Sequence, residues 1–153
     1  MRLLLASNNA KKRAELVRIL GRHGVLVVVP AEVGLAIDPV EDGMTFADNA
    51  RKKALAFAAV TDLPVLADDS GLAVDALDGA PGVHSARFAG EPTDDARNRR
   101  LLLERMAGVP EGRRSARFVC ALALARGDTV LAETSGACEG RILAAERGSG
   151  GFG

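Results

Sequence analysis

The sequence has 153 residues, of which 48% are hydrophobic and 26% charged, a composition typical of a globular domain with a sizeable core. Twenty basic residues balance twenty acidic ones, and only 3% are aromatic, so neither a basic surface nor a stacking platform for nucleic acid is expected. The apolar run from Leu3 to Ala6 is too short for a signal peptide, and no stretch approaches membrane-spanning length. We therefore expect one cytoplasmic domain over residues 1–153, with no nucleic-acid or membrane partner.

Apolar periodicity predicts strands and helices in alternation, followed by a β-rich second half. In chain order the expected elements are strand Leu3–Ala6, helix Lys12–His23, strand Val25–Val29, helix Thr45–Val60, strand Val65–Ala67, strand Leu72–Leu77, helix Asp94–Met106, strand Ser115–Ala125, strand Thr129–Ala137 and a last β segment Arg141–Glu146. Thr45 and Thr93 have the pattern of helix N-caps, and the pair Gly127-Asp128 indicates a hairpin turn. The expected fold class is α/β, a two-lobed mixed sheet with flanking helices and a central substrate cleft.

The two cysteines, Cys120 and Cys138, form no C-x-x-C pair and have no histidine nearby. This spacing is not that of a metal-binding motif. We expect both to be small core residues of a reduced chain.

The segment ADDSGL places Asp68 and Asp69 side by side at the end of an apolar run. Open α/β sheets bind ligands outside the carboxyl ends of their strands, where these acids are expected to lie. Two adjacent carboxylates are more than a turn requires, and Mg²⁺ is a cation that takes oxygen ligands while bridging to substrate phosphates. The pair therefore favours a function over a purely structural role.

Three further segments have both a structural and a functional interpretation. The turn Ser7–Lys12 leads from a strand into a helix N-terminus, which attracts phosphate, although Asn and Lys are also common in ordinary caps. Either Glu41 or Asp42 offers an oxygen ligand to a hard cation, or serves only as a solvated acid before a helix. His84 and Arg87 stand in a glycine- and proline-rich loop, and the sequence does not decide their roles.

The chain as a whole resembles the inosine triphosphate pyrophosphatase family. The matching segments are, in chain order, SNNAKKRAEL, EDGMTFADNARKKA, LADDSGLAVDALDGAPGVHSARFAG, RSARFVCALAL, GACEGRI and GSGGFG. The resemblance implies a two-lobed α/β fold, assembled as a homodimer. It also implies Mg²⁺-dependent hydrolysis of non-standard purine nucleoside triphosphates (those of inosine, deoxyinosine and xanthosine) to the monophosphate and pyrophosphate, which cleanses the nucleotide pool.

The resemblance also assigns roles to individual residues. Asp69 matches the family's catalytic acid, which acts as general base and metal ligand, and Glu41 and Asp68 complete the expected metal ligands, with Asp42 in reserve. The substrate contacts it implies are Ser7, Asn8, Asn9, Ala10, Lys11 and Lys12 in the triphosphate-binding turn, Ser70, and Phe152 and Gly153 in the last glycine-rich segment.

The family continues past this glycine-rich segment with residues that form much of the purine-base pocket. The 153 residues are therefore expected to be part of a longer protein or a truncated one, with weak hydrolysis and poor base discrimination on their own. Two alternatives stay open: a non-catalytic nucleotide-binding module, and a related pyrophosphatase with a different base preference.

Overall fold

The computed structural model describes residues 1–152 and contains, over that range, three α-helices and five strands. The helices are α1 (Ala10–Leu20), α2 (Phe46–Ala58) and α3 (Asp95–Arg105), and the strands are β1 (Arg2–Leu5), β2 (Leu26–Val28), β3 (Val65–Val74), β4 (Ser115–Arg126) and β5 (Thr129–Arg141). The strands form one sheet in the order β2-β1-β3-β4-β5. β1 pairs in parallel with both neighbours, so that Leu4 lies opposite Val28 on one side and Val65 on the other.

Each helix begins at a polar side chain that accepts a hydrogen bond from the helix's own first turn. Asn9 caps α1, Thr45 caps α2 and Asp94 caps α3. Such caps satisfy backbone N–H groups that have no partner within the helix. The prediction for Thr45 is confirmed, whereas α3 begins after Asp94 rather than Thr93.

The chain divides into two compact units. The first unit comprises residues 1–69 and 121–135, and the second comprises residues 70–120 and the chain from 136 onward. The core of the first unit gathers side chains from β1, β3, β4 and α2, including Leu4, Val65 and Phe57. The core of the second unit is built around Leu72 and Met106. The expectation of a single domain over the whole chain stays a prediction.

β3 differs from the two separate strands that the sequence predicted. It runs without interruption for ten residues through Asp68, Asp69 and Gly71. Asp and Gly disfavour strands, but β3 lies between β1 and β4, and apolar residues on either side of the acids are buried in the two cores. Tertiary packing therefore outweighs the local preference, and both acids lie inside the strand rather than in a turn after it.

β4 and β5 correct two further expectations. On β4 the buried side chains are alanines, among them Ala121, Ala123 and Ala125, and Cys120 is exposed. β5 is a single strand that already covers Ala137 and ends at Arg141, and it is exposed along nearly its whole length. Cys138, which it carries, is exposed too, so the expectation that both cysteines are core residues is wrong. No helix within residues 1–152 is long and apolar enough to cross a membrane.

Candidate active site

The turn between β1 and α1 is organised by side chains of its own residues. The N–H of Asn9 donates to Oγ of Ser7 at 3.1 Å, and Oδ1 of Asn9 accepts from the backbone N–H groups of Lys11 and Lys12 at 3.0 and 3.2 Å. Two of the helix's first N–H groups are thus bonded to the cap. What the turn still offers to an anion is the positive end of the helix dipole and the two lysine ammonium groups.

Asp68 brings this turn into contact with β3. The ammonium group of Lys12 donates to Oδ2 of Asp68, forming an ion pair across 56 positions of sequence. The carboxylate is 6% exposed, and its other oxygen, Oδ1, is buried without a hydrogen-bond partner. A buried carboxylate oxygen without a partner is costly, and a cation would relieve that cost.

Glu41 is joined to the same strand through Lys53 of α2. The Lys53 side chain, only 15% exposed, forms an ion pair with Glu41 and also donates to the backbone oxygen of Asp68 at 3.1 Å. Asp42 instead points into solvent and pairs with Lys52 at 2.6 Å, a hydrogen bond that lowers the pKa of Asp42. Of the two candidate ligands in this loop, Glu41 is therefore the one linked to the β3 acids.

Asp69 is held by a second residue of α2. The side-chain amide of Asn49 donates from Nδ2 to Oδ2 of Asp69 at 2.9 Å, and its Oδ1 accepts from the N–H of Gly43 at 2.7 Å. Asn49 is 1% exposed and Asp69 is also buried. Glu41, Asp68, Asp69 and the Ser7–Lys12 turn thus belong to one connected set of contacts within the first unit.

The oxygen donors of this set fit Mg²⁺. Mg²⁺ prefers carboxylate oxygens and is commonly held by one or two of them plus substrate phosphates, rather than by a complete protein cage. Within residues 1–152 no three His, Cys, Asp or Glu side chains lie close enough together to form a metal site by themselves, so Glu41, Asp68 and Asp69 are not a complete ligand set in this structure. The unpartnered Oδ1 of Asp68 is the observation in this structure that supports a cation there.

The remaining predicted substrate contacts lie in the second unit. Ser70 follows Asp69 in β3 and is half-buried, and Phe152 packs against the second core and lines a cavity of about 250 Å³. Gly153 lies outside the described residues. His84 and Arg87 are both exposed on a short 3₁₀ turn, so the structure gives neither of them a defined role.

A model of the Ham1 family matches residues 3–153, almost the entire chain. A protein of Desulforamulus reducens named dITP/XTP pyrophosphatase is 52% identical over 153 residues, which cover all of this chain and 76% of the relative. A protein of the same name from Exiguobacterium sibiricum is 48% identical, with 77% of its length covered. The chain belongs to the Ham1 family.

Solved structures of related proteins have the same fold as this chain. A HAM1 protein from Coxiella burnetii superimposes with a TM-score of 0.90 at 38% identity, covering all of this chain and 78% of the other. A nucleoside-triphosphatase / dITP/XTP pyrophosphatase from Mycobacterium abscessus gives a TM-score of 0.87 at 42% identity, covering 99% of this chain and 81% of the other. The expected α/β mixed-sheet fold and the resemblance to this family of pyrophosphatases are confirmed.

Sequence reasoning missed three residues that organise the site and its surroundings in this Ham1 chain. The sequence predicts Asn49 and Lys53 only as helix residues. In the structure Asn49 is buried, the Lys53 side chain is 15% exposed, and both contact the β3 acids. Arg99 of α3 donates to the backbone oxygens of Ser149 and Gly151, and so anchors the glycine-rich segment before Phe152. The only sequence signal was the helical spacing of Asn49 and Lys53, four residues apart, which places both on one face of α2.

Proposed function

We propose that this Ham1-family protein is a pyrophosphatase that hydrolyses the triphosphates of deoxyinosine, xanthosine and inosine to the monophosphate and pyrophosphate. The observation that carries the proposal is the contact set of the first unit, in which Lys12 of the N-terminal turn meets Asp68 and the neighbouring Asp69 is held by Asn49. A cationic turn suited to phosphate and a pair of buried carboxylates are the two parts that such a hydrolysis needs.

The chain's own residues would divide the work between binding and proton transfer. The turn Ser7–Lys12 binds the phosphates through the positive end of α1 and the ammonium groups of Lys11 and Lys12. Asp69 orients the attacking water and accepts its proton, and the hydrogen bond from Asn49 fixes the position of one of its carboxylate oxygens. Ser70 and Phe152 are proposed as further substrate contacts.

Glu41, Asp68 and Asp69 are the residues that would hold Mg²⁺. When bound, Mg²⁺ neutralises negative charge on the phosphates and so favours departure of pyrophosphate. Because Lys12 pairs with Asp68 and Lys53 with Glu41, both ammonium groups lie next to the carboxylates and can contact phosphate oxygens instead. We further propose that the enzyme works as a cytoplasmic homodimer, as the resemblance implies.

The test is release of pyrophosphate from inosine and adenosine triphosphates in the presence of Mg²⁺, with an Asp69→Asn variant beside the wild type. We expect release that is lost in the variant, and the ratio of the two wild-type rates measures how well the protein discriminates between the bases. Asp62→Asn is the matched control, because Asp62 is an exposed aspartate on the loop before β3 and should keep wild-type activity.

A binding measurement separates the enzyme from a non-catalytic nucleotide-binding module. Such a module would release no pyrophosphate, and its affinity for inosine triphosphate would survive Asp69→Asn.

A second pair of variants decides which acid of the loop before α2 is the metal ligand. Glu41→Gln should abolish turnover while Asp42→Asn retains it, because Glu41, unlike Asp42, is joined to β3 through Lys53. The opposite result would make Asp42 the ligand.

A further inference from the structure

Asn49 is a buried polar residue in the first turn of α2, where a buried amide is unfavourable unless it is hydrogen-bonded. Thr45 caps the helix there, and the backbone N–H of Asn49 donates to the Thr45 carbonyl at 3.2 Å, which fixes where the side chain begins. The residue is 1% exposed. Asn is a poor helix former, and a buried amide is tolerated only when its donor and acceptor are both bonded.

Both ends of the Asn49 amide are bonded, and their chemistry leaves one orientation. A backbone N–H can only donate, so the amide oxygen must face Gly43, at 2.7 Å. The NH₂ group must then face Asp69, whose carboxylate oxygen lies at 2.9 Å. The same side chain therefore links the loop that carries Glu41 to the acid on β3, over 20 positions of sequence.

Gly43 is shaped to allow this link. A Cβ added to Gly43 would lie 2.6 Å from Oδ1 of Asn49 and 2.8 Å from Cβ of Asp48, both closer than real contacts of this kind. Gly43 is not among the glycines with positive φ, so its lack of a side chain serves the close approach and not a left-handed backbone. Any side chain at this position would displace the amide of Asn49.

We propose that Asn49 is a positioning residue that holds the Glu41–Gly43 loop and the Asp69 carboxylate in a fixed relation, with Gly43 as its required partner. The inference rests on the proposed function, because it concerns the geometry of that same site. Loss of the link misplaces the two acids relative to each other without removing either of them. Residues that orient groups contacting a metal or substrate typically change activity by about 10- to 100-fold.

The experiment compares four variants of the full protein with the wild type. Asn49→Ala removes both bonds. Asn49→Asp keeps an oxygen for Gly43 but can no longer donate to Asp69. Gly43→Ala pushes on the amide, and Gly112→Ala is its control, because a Cβ there meets nothing within 4 Å.

Four quantities are measured for each variant: kcat and KM for deoxyinosine triphosphate, the hydrogen-exchange rate of the Gly43 amide, and the melting temperature. We expect kcat to fall by about 10- to 100-fold in the two Asn49 variants and in Gly43→Ala, with KM nearly unchanged. The Gly43 amide should exchange faster in Asn49→Ala and stay protected in Asn49→Asp. Gly112→Ala should match the wild type in all four.

The outcomes separate this inference from the function on which it rests. Full kcat in Asn49→Asp, or a loss of melting temperature in Asn49→Ala without any loss of kcat in the folded protein, overturns the positioning role. A wild-type protein that releases no pyrophosphate overturns the proposed function instead. Hydrogen exchange does not depend on activity. If the Gly43 amide exchanged at the wild-type rate in Asn49→Ala, the hydrogen-bonded link between Asn49 and Gly43 would be refuted whether or not the protein is an enzyme.

Discussion

We expect that loss of the α1 cap weakens substrate binding, even if the capping residue does not contact the substrate. Asn9→Ala removes the oxygen that accepts from Lys11 and Lys12 N–H groups at 3.0 and 3.2 Å. Loss of such a cap costs about 1 kcal/mol. For a chain of this size that corresponds to a fall in melting temperature of roughly 2–4 °C.

Loss of the cap should also raise KM, because the first turn of α1 carries Lys12. In the proposed site, Lys12 must be ordered to contact a phosphate. If the roughly 1 kcal/mol that orders the turn has to be supplied by binding, KM for inosine triphosphate rises about fivefold. Asp69, the proposed catalytic acid on β3, is untouched, so kcat should stay near the wild-type value. Steady-state kinetics of pyrophosphate release and thermal melts measure both effects.

Two variants at the same position test the reasoning. Asn9→Ser restores a capping oxygen and should return both the melting temperature and KM towards wild type. Asn9→Asp should preserve the helix, because an acid is favourable at its positive end, and yet raise KM by repelling the triphosphate. A wild-type KM in Asn9→Ala, despite the lower melting temperature, would refute the idea that turn order controls binding. A KM equally high in Asn9→Ser would show that the Asn9 amide contacts the substrate itself.

Two further predictions concern stability. Leu4→Ala, in a strand where Leu4 is fully buried, should lower the free energy of unfolding in urea by about 2–5 kcal/mol, whereas Leu26→Ala on the neighbouring strand, where Leu26 is 59% exposed, should cost far less; equal costs would contradict the packing described for β1. Hydrogen bonds from Arg117 and Ser115 lower the pKa of Asp75 below its ordinary value, so this carboxylate contributes stability that is present above the unfolded pKa and is lost as the pH falls through the folded pKa. Urea midpoints taken between roughly pH 5 and pH 3 should therefore fall more steeply in the wild type than in Arg117→Leu, and parallel slopes would argue against the pairing.

Local signals in the sequence were sufficient to predict most helices and strands and to single out Asp68 and Asp69 as candidate site residues. Thr45 caps α2 as predicted, because a cap acts within three positions of its own residue. The parallel pairing of β1 with β3 brings the turn after β1 towards the acids of β3, as the α/β pattern implies. The match of the whole chain to the Ham1 family then supports the family resemblance read from these same segments.

The contacts that were missed depend on how one element lies against another. Asn49 meets Asp69 across 20 positions and Lys53 meets the Asp68 backbone across 15, and both require the particular rotation of α2 over the sheet. Helical spacing gives the face that Asn49 and Lys53 share but not what that face meets. The prediction that Cys120 is buried was wrong for a related reason. Strict alternation would place Cys120 on the same face as the buried Ala116, but the buried positions of β4 change to Ala121, Ala123 and Ala125 further along the strand.

The alanines between α2 and the sheet limit how this site can vary during evolution. Ala50, Ala54 and Ala58 of α2 share one core with Ala121, Ala123 and Ala125 of β4, and each of them is at most 2% exposed. A larger side chain at any of these positions would need room that only a shift of the helix can provide. Such a shift would move Asn49 and Lys53 away from the acids, so a mutation far from the substrate would be selected against for its effect on turnover. Substitutions should therefore accumulate on the exposed strand β5, where Leu131 is 54% exposed, and leave the alanine layer small.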